Sequence, residues 1–358
     1  MKNTPRNLPL NAYHAIASKK IRHIGTTHKI CLIGRGCCPN AIKSHSVPVA
    51  SLRGIAKDGH VYAFVSPVHA ELQNIYNCEY QPTRLGINEA STYFGFCSTH
   101  DDAIFSEIEK RDVEPTDNQA LLFHFRAYSR AFYQNANSGK MLHEIHEAQR
   151  PADHVPTEAL ETVASYFQPQ VDTLSILEKH FERMRSDVVA KTHPKLEYLF
   201  IRLGCVPDVM CSTLLMPLYD IEGKLLFQLA KECNATCQAM SITLMQDSVG
   251  GFLLLTWYDK DAVASAFVRT FIRGGYDINR LIAVVFGATV NFFFSESWWE
   301  KLDDERREML MYYASVLIID PADTSRDHIQ IMYQALVNHP ATYVNWPILS
   351  VTKSAALN

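Results

Sequence analysis

The amino-acid sequence predicts an α+β fold, with a small N-terminal module, a helical middle and a C-terminal antiparallel sheet with helices. Three changes of pattern along the chain support this prediction. The signals up to residue 112 are short and rich in turns, whereas residues 113–192 carry the long apolar periodicity of helices. From residue 193 short β-branched and aromatic runs alternate with turns, and helical patterns follow them.

Length and composition are those of an ordinary globular protein with more than one domain. The chain has 358 residues, of which 47% are hydrophobic and 20% charged, and its formal net charge is −4. This balance excludes a uniformly basic protein that coats nucleic acid, but a local basic patch still permits a nucleic-acid partner. We predict four segments: an N-terminal arm (1–28), a small module (29–112), a helical region (113–192) and an α+β C-terminal domain (193–358).

The sequence also predicts a cytoplasmic protein with no membrane partner. Residues 1–22 mix charged and polar residues and lack the apolar run of a secretory signal. The longest apolar stretch, residues 281–294, is shorter than the roughly 18–20 residues that cross a bilayer, so we predict a buried core helix there. Nine cysteines, an odd number, favour thiols or metal ligands over a disulfide framework.

The elements of the small module and of the helical region follow from periodicity and turn signals. Thr116-Asp-Asn-Gln119 is a capping box that opens a helix, and Asn137-Ser-Gly139 predicts a break after it. We predict a turn over 34–39, strands over 41–47 and 60–66, and helices over 49–56, 101–110, 116–135, 140–149 and 158–190. The polar run from 67 to 95 carries no predicted element.

The C-terminal domain begins with strand patterns and ends with helical ones. Turn signals such as Ile221-Glu-Gly223 separate the strands and favour an antiparallel meander. Strands are predicted over 198–203, 211–219, 224–229, 241–246 and 252–258, and helices over 261–272, 277–302, 304–317 and 325–337.

Soft metal-binding side chains form two pairs in the module. Cys31 and Cys37 lie on a glycine-containing turn, with Cys38 as the alternative to Cys37, and Cys97-x-x-His100 lies where a helix begins. Two such pairs suit a tetrahedral zinc ion, although five residues between Cys31 and Cys37 is a wider spacing than usual. A knuckle, a β-hairpin and a helix whose first turn completes the site form the layout of a treble-clef finger.

The stretch Ser44-His45-Ser-Val-Pro48 lies between the two pairs. Together, these residues resemble the HNH, or ββα-metal, endonuclease family. Its divergent members read Cys-x-x-Cys, then Glu/Asp-His-Ile-x-Pro, then Cys-x-x-Cys-Asn-x-x-Phe with a later acidic residue. His45 and Pro48 match the His-x-x-Pro element, Cys97-x-x-His100-Asp101 matches the second pair, and Glu109 approximates the acidic position. The resemblance covers residues 29–110, and Ser44 departs from it because the family has an acidic residue there.

The resemblance implies a site and an activity. The family's strand histidine is a general base that activates water for attack on a phosphodiester, and a divalent metal stabilises the charge that develops. Carried over, His45 is the base, Asp101 holds Mg²⁺ with help from Glu109 or Asp102, and Zn²⁺ is purely structural on Cys31, Cys37, Cys97 and His100. We therefore expect an endonuclease, a hydrolase acting on DNA or RNA.

A second interpretation remains open. The same four ligands are compatible with a non-catalytic zinc-binding interaction protein. Its C-terminal domain would then bind a protein or small ligand, or form a homo-oligomer.

Overall fold

An eight-stranded antiparallel sheet organises the part of the chain that the computed structural model describes. That part comprises residues 29–34, 37, 40–64, 81–148, 157–226, 239–316, 326–338 and 341–354. Its strands are β1 (Ile42–His45), β2 (His60–Ala63), β3 (Thr83–Gly86), β4 (Thr92–Phe96), β5 (Leu196–Leu203), β6 (Val209–Leu215), β7 (Met240–Gln246), β8 (Gly251–Tyr258), β9 (Phe292–Phe294) and β10 (Ile348–Lys353).

Helices cover both faces of this sheet. They are α1 (Val49–Arg53), α2 (Ser98–Glu109), α3 (Asp117–Ala148), α4 (Thr157–Ala190), α5 (Ala262–Arg273), α6 (Ile278–Ala288), α7 (Glu296–Lys301), α8 (Asp304–Val316) and α9 (Arg326–Asn338). The predicted α+β class, with an antiparallel C-terminal sheet and helices, is confirmed. None of the helices in the described ranges is long and apolar enough to cross a membrane.

The strand order in the large sheet is β10-β5-β8-β7-β6-β9-β2-β3. The predicted meander is therefore right for β6, β7 and β8 but wrong for β5, which pairs with β8 instead of β6. The connection between β5 and β6 crosses the end of the β7–β8 hairpin, where the Gly251 N–H donates to the Cys205 carbonyl at 3.1 Å. Sequence patterns report which residues form strands, but not which strands become neighbours.

The alternation of side chains along the strands builds two cores. Leu199 and Ile201 of β5 face the core formed with α5 and α6, whereas Phe200 faces the core formed with α2, α3 and the N-terminal module. Both faces are buried, which explains why β8 is apolar at almost every position. The sheet is thus the middle layer, and the N-terminal module packs against one of its faces.

The N-terminal module contributes to two sheets. Strands β1 and β4 pair with each other, with Ile42 opposite Phe96 and His45 opposite Thr92. Strands β2 and β3 lie between β1 and β4 in the sequence, and they extend the large sheet because β2 pairs with β9. The module and the C-terminal region therefore share one sheet, while the predicted domain boundaries stay a prediction.

Two helix predictions were wrong in instructive ways. The break predicted at residues 137–139 is absent from α3, where Gly139 lies at the contact with α4 and a side chain there would meet Val171 and Leu174 at 3.9 Å. The helix predicted over 277–302 ends at Ala288. Its aromatic continuation is the buried strand β9, after which the Ser295 hydroxyl accepts a hydrogen bond from the Trp298 N–H and starts α7.

Other differences concern exposed or weakly patterned segments. Strands β3, β4 and β10 were not predicted, and β3 and β10 are edge strands with much exposed surface, which removes the alternating apolar signal. The strand predicted over 224–229 is present only as an isolated bridge between Tyr219 and Leu225, and residues 227–229 lie outside the described ranges. The predicted N-terminal arm also lies outside them.

Candidate metal centre

The structure brings together the four side chains that the sequence predicted as ligands, Cys31, Cys37, Cys97 and His100. Their ligand atoms all lie within 4.8 Å of one another. His100 Nδ1 is 3.4 Å from the Cys31 sulfur, 3.5 Å from the Cys37 sulfur and 3.4 Å from the Cys97 sulfur. Cys38, the alternative ligand, lies outside the described residues.

These distances are those of ligands around a common centre. In a tetrahedral zinc site, Zn–S bonds of about 2.3 Å and a Zn–N bond of about 2.05 Å place nitrogen and sulfur about 3.6 Å apart. Hydrogen bonding does not explain the arrangement, because an imidazole nitrogen carries one proton or one lone pair and three sulfurs surround it. The four atoms can therefore hold a metal ion such as zinc.

Local structure holds each half of this Cys₃His cluster in place. The Leu32 N–H donates to the Gly95 carbonyl at 2.8 Å, which joins the Cys31 turn to β4. Cys97 is the N-cap of α2, and the Asp101 N–H donates to its carbonyl at 2.9 Å. Cys97 and His100 are three residues apart on the first helical turn, so they share one helix face.

The surroundings of the cluster are apolar on one side and open on the other. Cys31 and Cys97 are buried, whereas Cys37 is exposed. Burial raises the pKa of the Cys31 thiol, while backbone hydrogen bonds with Cys97 and Ile33 lower it. A bound cation would favour the thiolate form and reverse the effect of burial.

The predicted base lies at the end of β1. His45 is partly buried, and its Nε2 atom is buried without a hydrogen-bond partner among the described residues. Burial lowers the pKa of His45, and the charge of Glu109 acts in the opposite direction. The imidazole is therefore neutral near pH 7, as a general base must be.

Asp101, the carboxylate predicted to bind Mg²⁺, lies beside β1, the strand that carries His45. Asp101 follows His100 in the first turn of α2. Burial raises the pKa of Asp101, and the nearby hydroxyl of Ser44, the neighbour of His45, lowers it. The charges of Glu109 and Arg126 act on both His45 and Asp101, so both side chains lie within electrostatic range of this ion pair.

The other two acidic candidates are engaged by basic side chains. Glu109 Oε1 accepts a hydrogen bond from Arg126 Nη2 at 2.6 Å. Asp102 forms an exposed ion pair with Lys110. Of the three predicted carboxylates, Asp101 is thus the one that no basic side chain within the described ranges pairs with.

Sequence reasoning missed the residues that surround these candidates. The Arg126 side chain is only 1% exposed, and its guanidinium carbon lies 4.2 Å from the centroid of the Phe105 ring. A signal was present, since Arg126 lies between the buried run Leu121-Leu-Phe-His-Phe125 and the buried Ala127 and Tyr128 of α3. Charged residues on such faces are almost always paired or bound to a ligand.

A cleft of about 480 Å³ borders the same region. It is lined by Glu109 at the end of α2, by Lys110 and Arg111, which follow the helix, and by Asp247 and Ser248 of the β7–β8 turn. Glu109 therefore reaches open space on one side and Arg126 on the other.

The Cys₃His cluster defines a class of site, one that can hold a metal ion. No protein-family model matches the chain, and neither a curated protein nor a solved structure matches it significantly.

Proposed function

We propose that residues 29–110 form a zinc-structured, HNH-like module that hydrolyses phosphodiester bonds of nucleic acid. One observation carries the proposal. The Cys₃His cluster joins the Cys31 turn to the first turn of α2, and the charges of the Glu109–Arg126 pair act on both the β1 histidine and the helix carboxylate. The order of knuckle, strand, strand and helix is that of the family that the sequence resembles, with residues 46–91 inserted between the two strands.

The proposal gives each residue a role. Zn²⁺ on Cys31, Cys37, Cys97 and His100 would be structural, because four protein ligands leave no open position. The neutral imidazole of His45 would accept the proton of the attacking water.

One carboxylate suits a magnesium ion that keeps most of its waters and takes a further ligand from a substrate phosphate. Asp101 would hold that ion. When bound, Mg²⁺ would stabilise the negative charge that develops at the scissile phosphate. Glu109 fits this task less well because Arg126 already occupies its carboxylate.

A second function, a non-catalytic zinc-binding interaction protein, is favoured by a different observation. His45 Nε2 is buried, and a base needs access to water. In that case the cluster would only stabilise the module, and the C-terminal domain would bind a protein or a small ligand.

Cleavage assays on DNA and RNA, with and without Mg²⁺, separate the two functions. We expect the wild type to cleave only with Mg²⁺, and His45→Ala to lower the rate by about 10²–10⁴-fold. His60→Ala is the matched control, since His60 is also a partly buried strand histidine of the module, and its Nδ1 lies 2.7 Å from the Asp58 carbonyl oxygen. Equal inactivity of wild type and His45→Ala on every substrate, with zinc bound in both, would favour the non-catalytic function.

A further inference from the structure

Several buried polar atoms beneath the β1–β4 pair have no hydrogen-bond partner within the described part of the chain. They are Tyr93 Oη, Arg126 Nε and Nη1, Arg130 Nε and His45 Nε2. A buried donor left without an acceptor costs about 1–3 kcal/mol, and more when it is charged. Native proteins therefore satisfy nearly all such groups with protein, water or a ligand.

These atoms belong to one place in the fold. Arg126 and Arg130 are one turn apart on α3, and the Arg130 guanidinium carbon lies 5.8 Å from the centroid of the Tyr93 ring on β4. The charges of both arginines act on Tyr93, and that of Arg126 acts on His45. We call Tyr93, Arg126 and Arg130 the donor group.

Of the two cations of the donor group, Arg126 lies near the carboxylates of Glu109 and Asp101, whereas Arg130 has no carboxylate partner in the described ranges. Arg126 pairs with Glu109, whose side chain is 30% exposed, through one of its nitrogens. Arg130 forms no ion pair with any carboxylate in the described ranges, and the side chains that act on it most are Tyr93 and Tyr133. Arg130 is partly buried and its Nε atom is fully buried, and a charged group that is shielded from water without a counter-ion is unfavourable.

The chemistry of the missing partner follows from the donors. Two guanidinium groups and a phenol present N–H and O–H groups, and a tetrahedral oxyanion accepts several hydrogen bonds at once. Arginine is the side chain best suited to phosphate, because its planar donors match two phosphate oxygens. A water molecule would satisfy one or two donors but would supply no charge.

We infer that Arg126, Arg130 and Tyr93 bind a phosphate group. This inference rests on the proposed function for the source of that phosphate, a nucleic-acid backbone next to His45. Free phosphate has the same chemistry, so the site itself does not depend on the cleavage activity.

Phosphate binding without Mg²⁺ tests the site. Titration calorimetry of the zinc-loaded full chain with inorganic phosphate, at constant ionic strength with chloride, gives the dissociation constant. We expect Arg130→Gln to weaken phosphate binding by at least 10-fold and Tyr93→Phe, which removes a single hydroxyl, by about 3–10-fold. Arg183→Gln is the matched control, because Arg183 also lies over a tyrosine ring, that of Tyr258, but outside the donor group. Tyr93→Phe keeps the test valid if Arg130→Gln does not fold.

A fluorescent oligonucleotide, competed with phosphate, identifies the source. Loss of both phosphate and oligonucleotide binding in Arg130→Gln supports a nucleic-acid phosphate. Loss of phosphate binding alone supports the site but assigns it to free phosphate, which contradicts the nucleic-acid source.

The outcome is separate from that of the cleavage assay. If the wild type cleaves nothing but the donor-group variants lose phosphate binding, the proposed function fails and the site stands. If the wild type binds phosphate no better than chloride, or if Arg130→Gln and Tyr93→Phe bind it as the wild type does, the inference is overturned.

Discussion

Replacing Glu109 by glutamine tests whether Arg126 depends on the carboxylate with which it forms an ion pair. The Arg126 side chain is 1% exposed and donates to Glu109 at 2.6 Å, and its other nitrogens have no partner among the described residues. Removing one partner of a buried ion pair destabilises a fold by about 3–5 kcal/mol, because the other charge stays buried. Glu109 keeps 30% of its side chain exposed, so water replaces part of the pair, and we expect a lower value of about 2–3 kcal/mol.

Urea unfolding at pH 7, followed by circular dichroism, measures this loss. Glu89→Gln is the matched control, since the Lys43–Glu89 pair is 45% and 65% exposed and such pairs contribute about 0–1 kcal/mol. Equal stability of Glu109→Gln and Glu89→Gln, both within about 0.5 kcal/mol of the wild type, would refute the reasoning that a buried arginine requires this carboxylate.

Three further predictions follow from other parts of the structure. Burial lowers the pKa of His124 to about 3 in the folded protein, whereas a histidine in the unfolded chain has a pKa of about 6.5. Between about pH 6.5 and pH 4, therefore, only the unfolded chain binds a proton at this residue. The free energy of unfolding should decrease by about 1.4 kcal/mol for each unit by which the pH falls in this range. In urea titrations, His124→Gln should lose this slope, and an unchanged slope would contradict the assignment. Gly251→Ala should lower the free energy of unfolding by about 1–3 kcal/mol in the same assay, because the new Cβ would lie 2.4 Å from the Cys205 carbonyl oxygen. Gly86→Ala is the control: its new Cβ would meet no atom within 4 Å, so stability should not change. Cys37→Ser should lose bound metal and Cys38→Ser should keep it, as elemental analysis would show, and the opposite result would make Cys38 the ligand.

Local chemistry made the metal ligands predictable. Cys97 and His100 precede a helical pattern, and a glycine-containing turn carries Cys31 and Cys37, so spacing alone indicated two pairs. The helix start also followed from sequence, since Thr116 Oγ1 accepts from the Gln119 N–H at 3.2 Å as the capping box predicts. These features depend on residues close together in the chain.

Tertiary pairing decided what the sequence could not show. Phe292–Phe294 has the apolar character of a helix interior, but the neighbouring strands β6 and β2 make it a strand. The donor group is invisible in the sequence for the same reason, because Tyr93 and Arg130 are brought together only when α3 packs on β4. Long-range packing overrides local propensity at such positions.

Zinc content tests the central claim most directly. We predict one zinc ion per chain in the purified wild type by inductively coupled plasma mass spectrometry. Cys97→Ser should contain none, and Cys205→Ser, whose thiol lies outside the cluster, should retain it. A wild type without zinc, or a Cys97→Ser variant that binds as much zinc as the wild type, would contradict the account.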